Sequence, residues 1–187
     1  MTVFYSDHYG PAVGATGHFT TRSIAGQLPL GKGLARVYKK FAYMTPASGL
    51  DMGDDDVIRV MDLKSGWRII EVFFSMDADF GATTTFNIGL YKKGEADNGA
   101  VLDEDLFASA VDWSGAITRV DYFKESATLT DMDRGKTLWE LVTIGAAATY
   151  TQDPMEVWTL TCQTTQDISA TAAAVTMSCE VTFLANA

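Results

Sequence analysis

Residues 57–91 alternate apolar and polar positions with a period of two. In the run 67–76, Arg68, Ile70, Val72, Phe74 and Met76 fall on one side, and Trp67, Ile69, Glu71, Phe73 and Ser75 on the other. Successive side chains of a strand point to opposite faces, so this run predicts a strand with one wholly apolar face beyond Arg68 and one mixed face. The run 83–91 alternates more sharply, with Thr84, Phe86, Ile88 and Leu90 opposed to Thr83, Thr85, Asn87, Gly89 and Tyr91. Residues 57–63 form a shorter β-rich run closed by the turn-forming Lys64-Ser65-Gly66. The stretch reads as three consecutive antiparallel strands. The middle one is too apolar for an edge and is expected inside a sheet.

The same reading extends to both sides. Residues 36–44 predict a strand with Val37, Lys39, Phe41 and Tyr43 on one face, its adjacent lysines suggesting an edge or one wet face. Residues 45–56 and 92–99 are loops by their glycine, proline and acidic content. At 102–111 the period changes: Leu102, Leu106 and Ala110 recur at steps of four behind Asp103, Glu104 and Asp105, which predicts one short helix with acids in its first turn. Residues 117–123, 137–144, 155–164 and 173–184 return to strand patterns, with a turn at 131–135. Eight short strands, one helix and glycine-rich turns predict an all-β fold, an antiparallel β-sandwich of jelly-roll-like type.

Residues 1–35 fit neither period. Gly10, Pro11, Gly14, Gly17, Gly26, Pro29, Gly31 and Gly33 interrupt them, yet Phe4, Tyr5, Tyr9, Phe19, Ile24, Leu28 and Leu30 are spread through. So long an irregular segment packed only on its own domain would be unusual. The expected organisation is an extended N-terminal arm, 1–35, reaching another subunit, followed by a sandwich domain, 36–187.

Charge also divides the chain, at about residue 50. The net charge of −10 is uneven: residues 1–50 hold five basic residues and one acid, the remainder nine basic and 23 acidic. A body this acidic repels nucleic-acid phosphate, so no nucleic-acid partner is expected. The basic arm suits an acidic neighbour, including another copy of the chain. The partner-binding candidates are Phe4, Tyr5, Tyr9, Phe19, Arg22, Leu28 and Lys32 in the arm and Arg36 just after it. No apolar run approaches the roughly 20 residues that span a bilayer, and the first residues lack a basic start with an apolar core, so neither a membrane nor a secretory signal is expected. A chain of 187 residues, 47% apolar with ten Phe, can bury enough surface to fold without metal or disulfide.

Candidate chemistry is sparse. Cys162 and Cys179 lie on consecutive predicted strands; a hairpin centred near Ala170 would bring them opposite each other, while the simpler reading is two buried thiols in a reducing compartment. His8 and His18 both fall in the arm, away from any nucleophile elbow or metal-ligand spacing. Asp51 to Asp56, with Asp77 and Asp79, could offer oxygens to Ca²⁺ but lack the EF-hand order, and a solvated acidic loop is the simpler reading. No carboxylate pair is singled out for glycoside hydrolysis, and the glycine-rich arm lacks the Gly-Lys-Ser/Thr ending of a phosphate loop. Trp67, Trp113, Trp139 and Trp158 could bind sugars if exposed, but alternation places most of them near packed faces. The expectation is a protein that is not an enzyme and carries no cofactor or metal.

Several phrases resemble small structural proteins of tailed-bacteriophage virions. They are Val57-Ile58-Arg59-Val60-Met61-Asp62-Leu63-Lys64-Ser65-Gly66, Phe86-Asn87-Ile88-Gly89-Leu90-Tyr91, Asp103-Glu104-Asp105-Leu106-Phe107-Ala108-Ser109-Ala110-Val111-Asp112 and Lys136-Thr137-Leu138-Trp139-Glu140-Leu141. The resemblance covers residues 56–184 and leaves the arm aside. It implies a β-sandwich present in many copies, with head decoration (cement) as the leading role. The major capsid protein would be its partner, a homo-oligomer (a trimer at a local threefold) its form, and the capsid surface of a virion assembled in the host cytoplasm its place. Neck, tail or fibre components share the style, and a carbohydrate-binding sandwich module is a further alternative.

Overall fold

The computed structural model describes residues 3–5, 23–24, 36–44, 52–79, 84–93, 100–145, 149–168 and 175–185. Among these residues the strands are β1 (Val3–Tyr5), β2 (Ser23–Ile24), β3 (Arg36–Met44), β4 (Val57–Lys64), β5 (Arg68–Met76), β6 (Thr85–Lys92), β7 (Val101–Asp112), β8 (Ile117–Asp121), β9 (Val157–Thr164) and β10 (Met177–Ala185). The long β8–β9 connection carries a 3₁₀ turn, Asp131–Asp133, and one helix, α1 (Leu138–Ile144).

Two five-stranded sheets face each other, ordered β1-β4-β9-β6-β7 and β2-β3-β10-β5-β8. Pairings among β3 to β10 are antiparallel, whereas β1 runs parallel to β4. Without β1 and β2 the orders become 4-9-6-7 and 3-10-5-8, the double Greek key of an eight-stranded jelly roll. The chain changes sheet at each step from β3 to β10 except between β6 and β7. The expected all-β jelly-roll sandwich is therefore the observed one.

The strands of 57–91 exist at nearly the expected bounds but do not pair with one another. β4 and β6 lie in one sheet and β5 in the other, where β10 and β8 flank it. Alternation reports which face meets the core, and that face looks the same whichever sheet a strand joins. β5 is interior, as its apolar content requires. For the same reason β9 and β10 form no hairpin: they lie in opposite sheets, and Cys162 and Cys179 are free, wholly buried thiols. Ala170 lies outside the described residues.

Two elements are exchanged relative to expectation. Residues 102–111 are strand, part of β7, and no helix. Opposite β6, Leu90 aligns with Asp103 and Ile88 with Ala108, so two steps on β6 correspond to five on β7. The bulge inserts three extra residues, and the four-residue spacing from Leu102 to Leu106 spans it rather than a helical turn. Conversely, residues 137–144 are helix and no strand. The Glu140 carboxylate accepts from the backbone N–H of Thr137 at 2.7 Å and from its hydroxyl at 2.5 Å, the return half of a capping box. Leu138, Leu141 and Val142 are buried at helical spacing.

The core between the sheets is aromatic at one end. Trp113 sits between Phe74 and Phe86, at ring distances of 5.4 and 4.5 Å, and its Nε1 donates to the Tyr122 hydroxyl at 3.1 Å. At another point Trp67 stacks on Phe183 at 4.0 Å. The sheets are also tied electrostatically: Lys40 of β3 donates through Nζ to the Asp62 carbonyl of β4 at 2.6 Å. Burial lowers the Lys40 ammonium below its ordinary value against the opposing pull of Asp62.

Candidate interaction surfaces

Of the arm candidates, Phe4 and Tyr5 lie in β1, where the backbone of Phe4 aligns with Ile58 and that of Tyr5 with Arg59. Arg36 opens β3 opposite Ala185, in the other sheet. Tyr9, Phe19, Arg22, Leu28 and Lys32 lie outside the described residues, as do His8 and His18. The described pieces of 1–35 thus occupy one outer position in each sheet, β1 beside β4 and β2 beside β3. Each covers backbone groups of the neighbouring strand that would otherwise be open to pairing with another chain. The candidate residues that are described are not gathered into one site.

The acidic loop before β4 is a turn held by carboxylates, one of its own and one from Asp167. Asp56 Oδ2 accepts from Gly53 N at 2.8 Å, and Asp167 Oδ1 accepts from Asp54 N at 2.8 Å. Asp55, at φ 64°, accepts from Gln163 Nε2 at 3.1 Å. Asp54 and Asp55 are exposed while Asp56 is buried, so the loop is only partly the solvated one expected. Asp77 caps the other loop by accepting from Thr176 N at 2.7 Å, which holds its carboxyl below the ordinary value. Among the described residues no three His, Cys, Asp or Glu side chains are placed to hold a metal ion. Asp51 is outside them.

The four tryptophans offer no open platform. Trp113 and Trp158 are fully buried, and Trp67 and Trp139 are half-buried against the core. Exposed apolar side chains lie elsewhere, foremost Met132 and Met155, at 90% and 89% exposure. Met155 holds φ 56°, a left-handed conformation, because its N–H is fixed on Asp153 Oδ1 at 2.8 Å while that carboxylate also receives the Ser65 hydroxyl.

Among the ion pairs of the described residues, two groups join three or more charged side chains. Arg134 pairs with Asp121 at 2.8 Å and Asp131 at 3.0 Å, and donates to the Ile70 carbonyl at 2.6 Å, pinning the β8–β9 connection to β5. On the outer face of the β3-β10-β5-β8 sheet, Glu180 Oε1 accepts from Lys39 Nζ at 2.6 Å and from an Arg119 terminal nitrogen at 3.1 Å. Burial raises the Glu180 pKa, but these two cations outweigh it and hold the carboxyl below its ordinary value. The Arg119 guanidinium lies 3.8 Å above the Phe73 ring. Sequence reasoning missed this group because its members come from four strands. The available signals were slight: Phe73 shares the mixed face of its run with Glu71 and Ser75, and Phe41 shares one with Lys39.

No family model and no curated protein matches the sequence. Among solved structures, a chain of the capsid of Ralstonia phage GP4 is similar in fold, with a TM-score of 0.56 at 12% identity, over 100% of this chain and 99% of that one. A chain of the cyanophage Pam1 capsid asymmetric unit gives a TM-score of 0.43 at 13% identity, over 85% of this chain and 91% of that one.

Proposed function

We propose that the chain is a structural protein of a tailed-bacteriophage virion, a decoration (cement) protein that binds the major capsid lattice and stabilises the head. The observation that carries this reading is the end-to-end fold match, which spans this sandwich and a capsid chain almost without remainder on either side. The jelly-roll body, the virion-like phrases at 56–184 and the opposed charges of arm and body support it. The protein acts in many copies at the capsid surface of a particle assembled in the host cytoplasm. Each copy, alone or as a trimer, bridges neighbouring capsomers, and modest contacts summed over the lattice give a large avidity. The arm, 1–35, supplies the contacts through Phe4, Tyr5, Tyr9, Phe19, Arg22, Leu28 and Lys32, with Arg36 added where the sandwich domain begins.

Co-sedimentation of the purified protein with heads of the phage that encodes it tests the reading. The full chain is expected to pellet with heads and to reach a saturating ratio. A form lacking residues 1–35 keeps the eight strands β3 to β10, so it is expected to stay folded by circular dichroism yet remain in the supernatant. Full chain left in the supernatant contradicts lattice binding. Undiminished pelleting of the truncated form contradicts the role of the arm.

A further inference from the structure

Phe41, Phe73, Ser75, Ser178, Glu180 and Arg119 line a hollow of about 160 Å³ on the outer face of the β3-β10-β5-β8 sheet. Three observations distinguish it from ordinary sandwich surface. Arg119 is held at φ 48°, a left-handed conformation that costs a non-glycine residue energy. Its backbone N–H donates to Ser75 Oγ at 2.9 Å, and its guanidinium plane is fixed between the Phe73 ring and Glu180. The charged side chains are therefore locked by one another in advance of any ligand, which lowers the ordering cost of binding. Finally, Phe41 lines the hollow, so an apolar ring borders it beside charged hydrogen-bonding groups.

We infer that this hollow is a carbohydrate subsite that takes one pyranose ring. A sugar has an apolar C–H face and an edge of adjacent hydroxyls, and the hollow offers a counterpart to each. The Phe41 ring meets the C–H face. Glu180 Oε2, which has no hydrogen bond among the described residues, accepts from a hydroxyl, and the free N–H groups of Arg119 donate to its neighbour. Ser178 also lines the hollow and brings a hydroxyl to it. A peptide docking by strand addition needs an open sheet edge. Here β10 and β5 are paired on both sides and the hollow lies on their face, so that mode does not fit it. The inference is independent of whether the chain sits on a capsid.

Ligand-observed NMR of the full protein with free hexoses, deoxyhexoses, N-acetylhexosamines and hexuronic acids tests it. At least one class is expected to bind saturably. Arg119→Gly removes the guanidinium while relieving the left-handed strain, so its melting temperature should hold while binding weakens by about tenfold or more, the loss expected for a charged hydrogen bond. Phe41→Ala should weaken binding comparably. No saturable binding by any sugar class overturns the inference. So does binding that survives both substitutions, or a hollow that takes up acidic peptides and no sugar.

Discussion

Gly89→Ala is expected to destabilise the protein by about 3 kcal/mol or more, placing it among severe single substitutions. A Cβ at Gly89 would lie 2.1 Å from the Asp103 carbonyl oxygen and 2.3 Å from the carbonyl carbon and oxygen of Glu104. These are backbone atoms of the β7 bulge, so no side-chain rotation relieves the clash. The bulge must lift, and with it go the contacts that its other residues make. Leu106, Phe107 and Ala108 are buried, and Ser126 donates its hydroxyl to the Leu106 carbonyl at 2.7 Å and its N–H to that of Phe107 at 3.0 Å. For a chain of this size such a loss lowers the melting temperature by roughly 6–12 °C. Gly115→Ala is the control: nothing lies within 4 Å of a Cβ there, and its stability should change little. Denaturant melts of both variants check the contrast. A Gly89→Ala protein as stable as the control would contradict the three-residue bulge.

Asp103→Asn is expected to stabilise the protein above neutral pH and to do almost nothing in mild acid. Burial pushes the Asp103 carboxyl from 3.8 up to about 7, helped by a hydrogen bond to Asp105 and by the charges of Asp105 and Glu104. Its Oδ2 also stands 2.1 Å from where a Gly145 side chain would begin, against the C-terminal end of α1, whose dipole is unfavourable to an anion. Below about pH 4 the carboxyl is protonated in both folded and unfolded chains and the term vanishes. Between about pH 4 and 7 the unfolded chain ionises while the folded one keeps its proton, so folding stability falls as pH rises. Above about 7 both are ionised and the penalty is constant, at a few kcal/mol. Asn cannot ionise, so the stability difference between variant and wild type should grow from near zero at pH 4 to that plateau by pH 8. A difference independent of pH would contradict the buried proton. Asp133 sets the opposite limb: hydrogen bonds from Lys136 and Thr130 hold its carboxyl at about 2, and that stabilisation is lost as pH falls from about 4 toward 2.

These two sites also show what the sequence conceals. The fold class was legible because strand alternation depends on one physical fact, a buried face, which β5 and β6 display directly. Sheet membership was not, since Ile69 and Ile88 are equally buried in opposite sheets. The exchange of helix and strand has a common cause. At 102–111 a bulge inserted three residues and imitated a helical period. At 137–144 a helix of two turns was too short to show its period against the apparent alternation of Leu138, Glu140, Val142 and Ile144. There the decisive signal was local: Thr137 and Glu140 stand at capping-box spacing, and that chemistry outweighs two turns of hydropathy. The hollow beside Arg119 was illegible for another reason. Lys39, Phe73, Arg119 and Glu180 come from β3, β5, β8 and β10, and only the jelly-roll order brings those strands side by side. Residues 1–35 stand apart in the sequence as a segment without period, in which glycine and proline interrupt scattered aromatic and apolar residues.

A decoration role requires the protein on the outside of the head. Electron cryomicroscopy of the particle encoding it, reconstructed with the symmetry of its head, measures this directly. The expected result is density for a two-sheet sandwich repeated over the outer surface of the shell, with its N-terminal segment running onto a neighbouring subunit. Density for the sandwich confined to the neck or tail, or a particle with none, would contradict it.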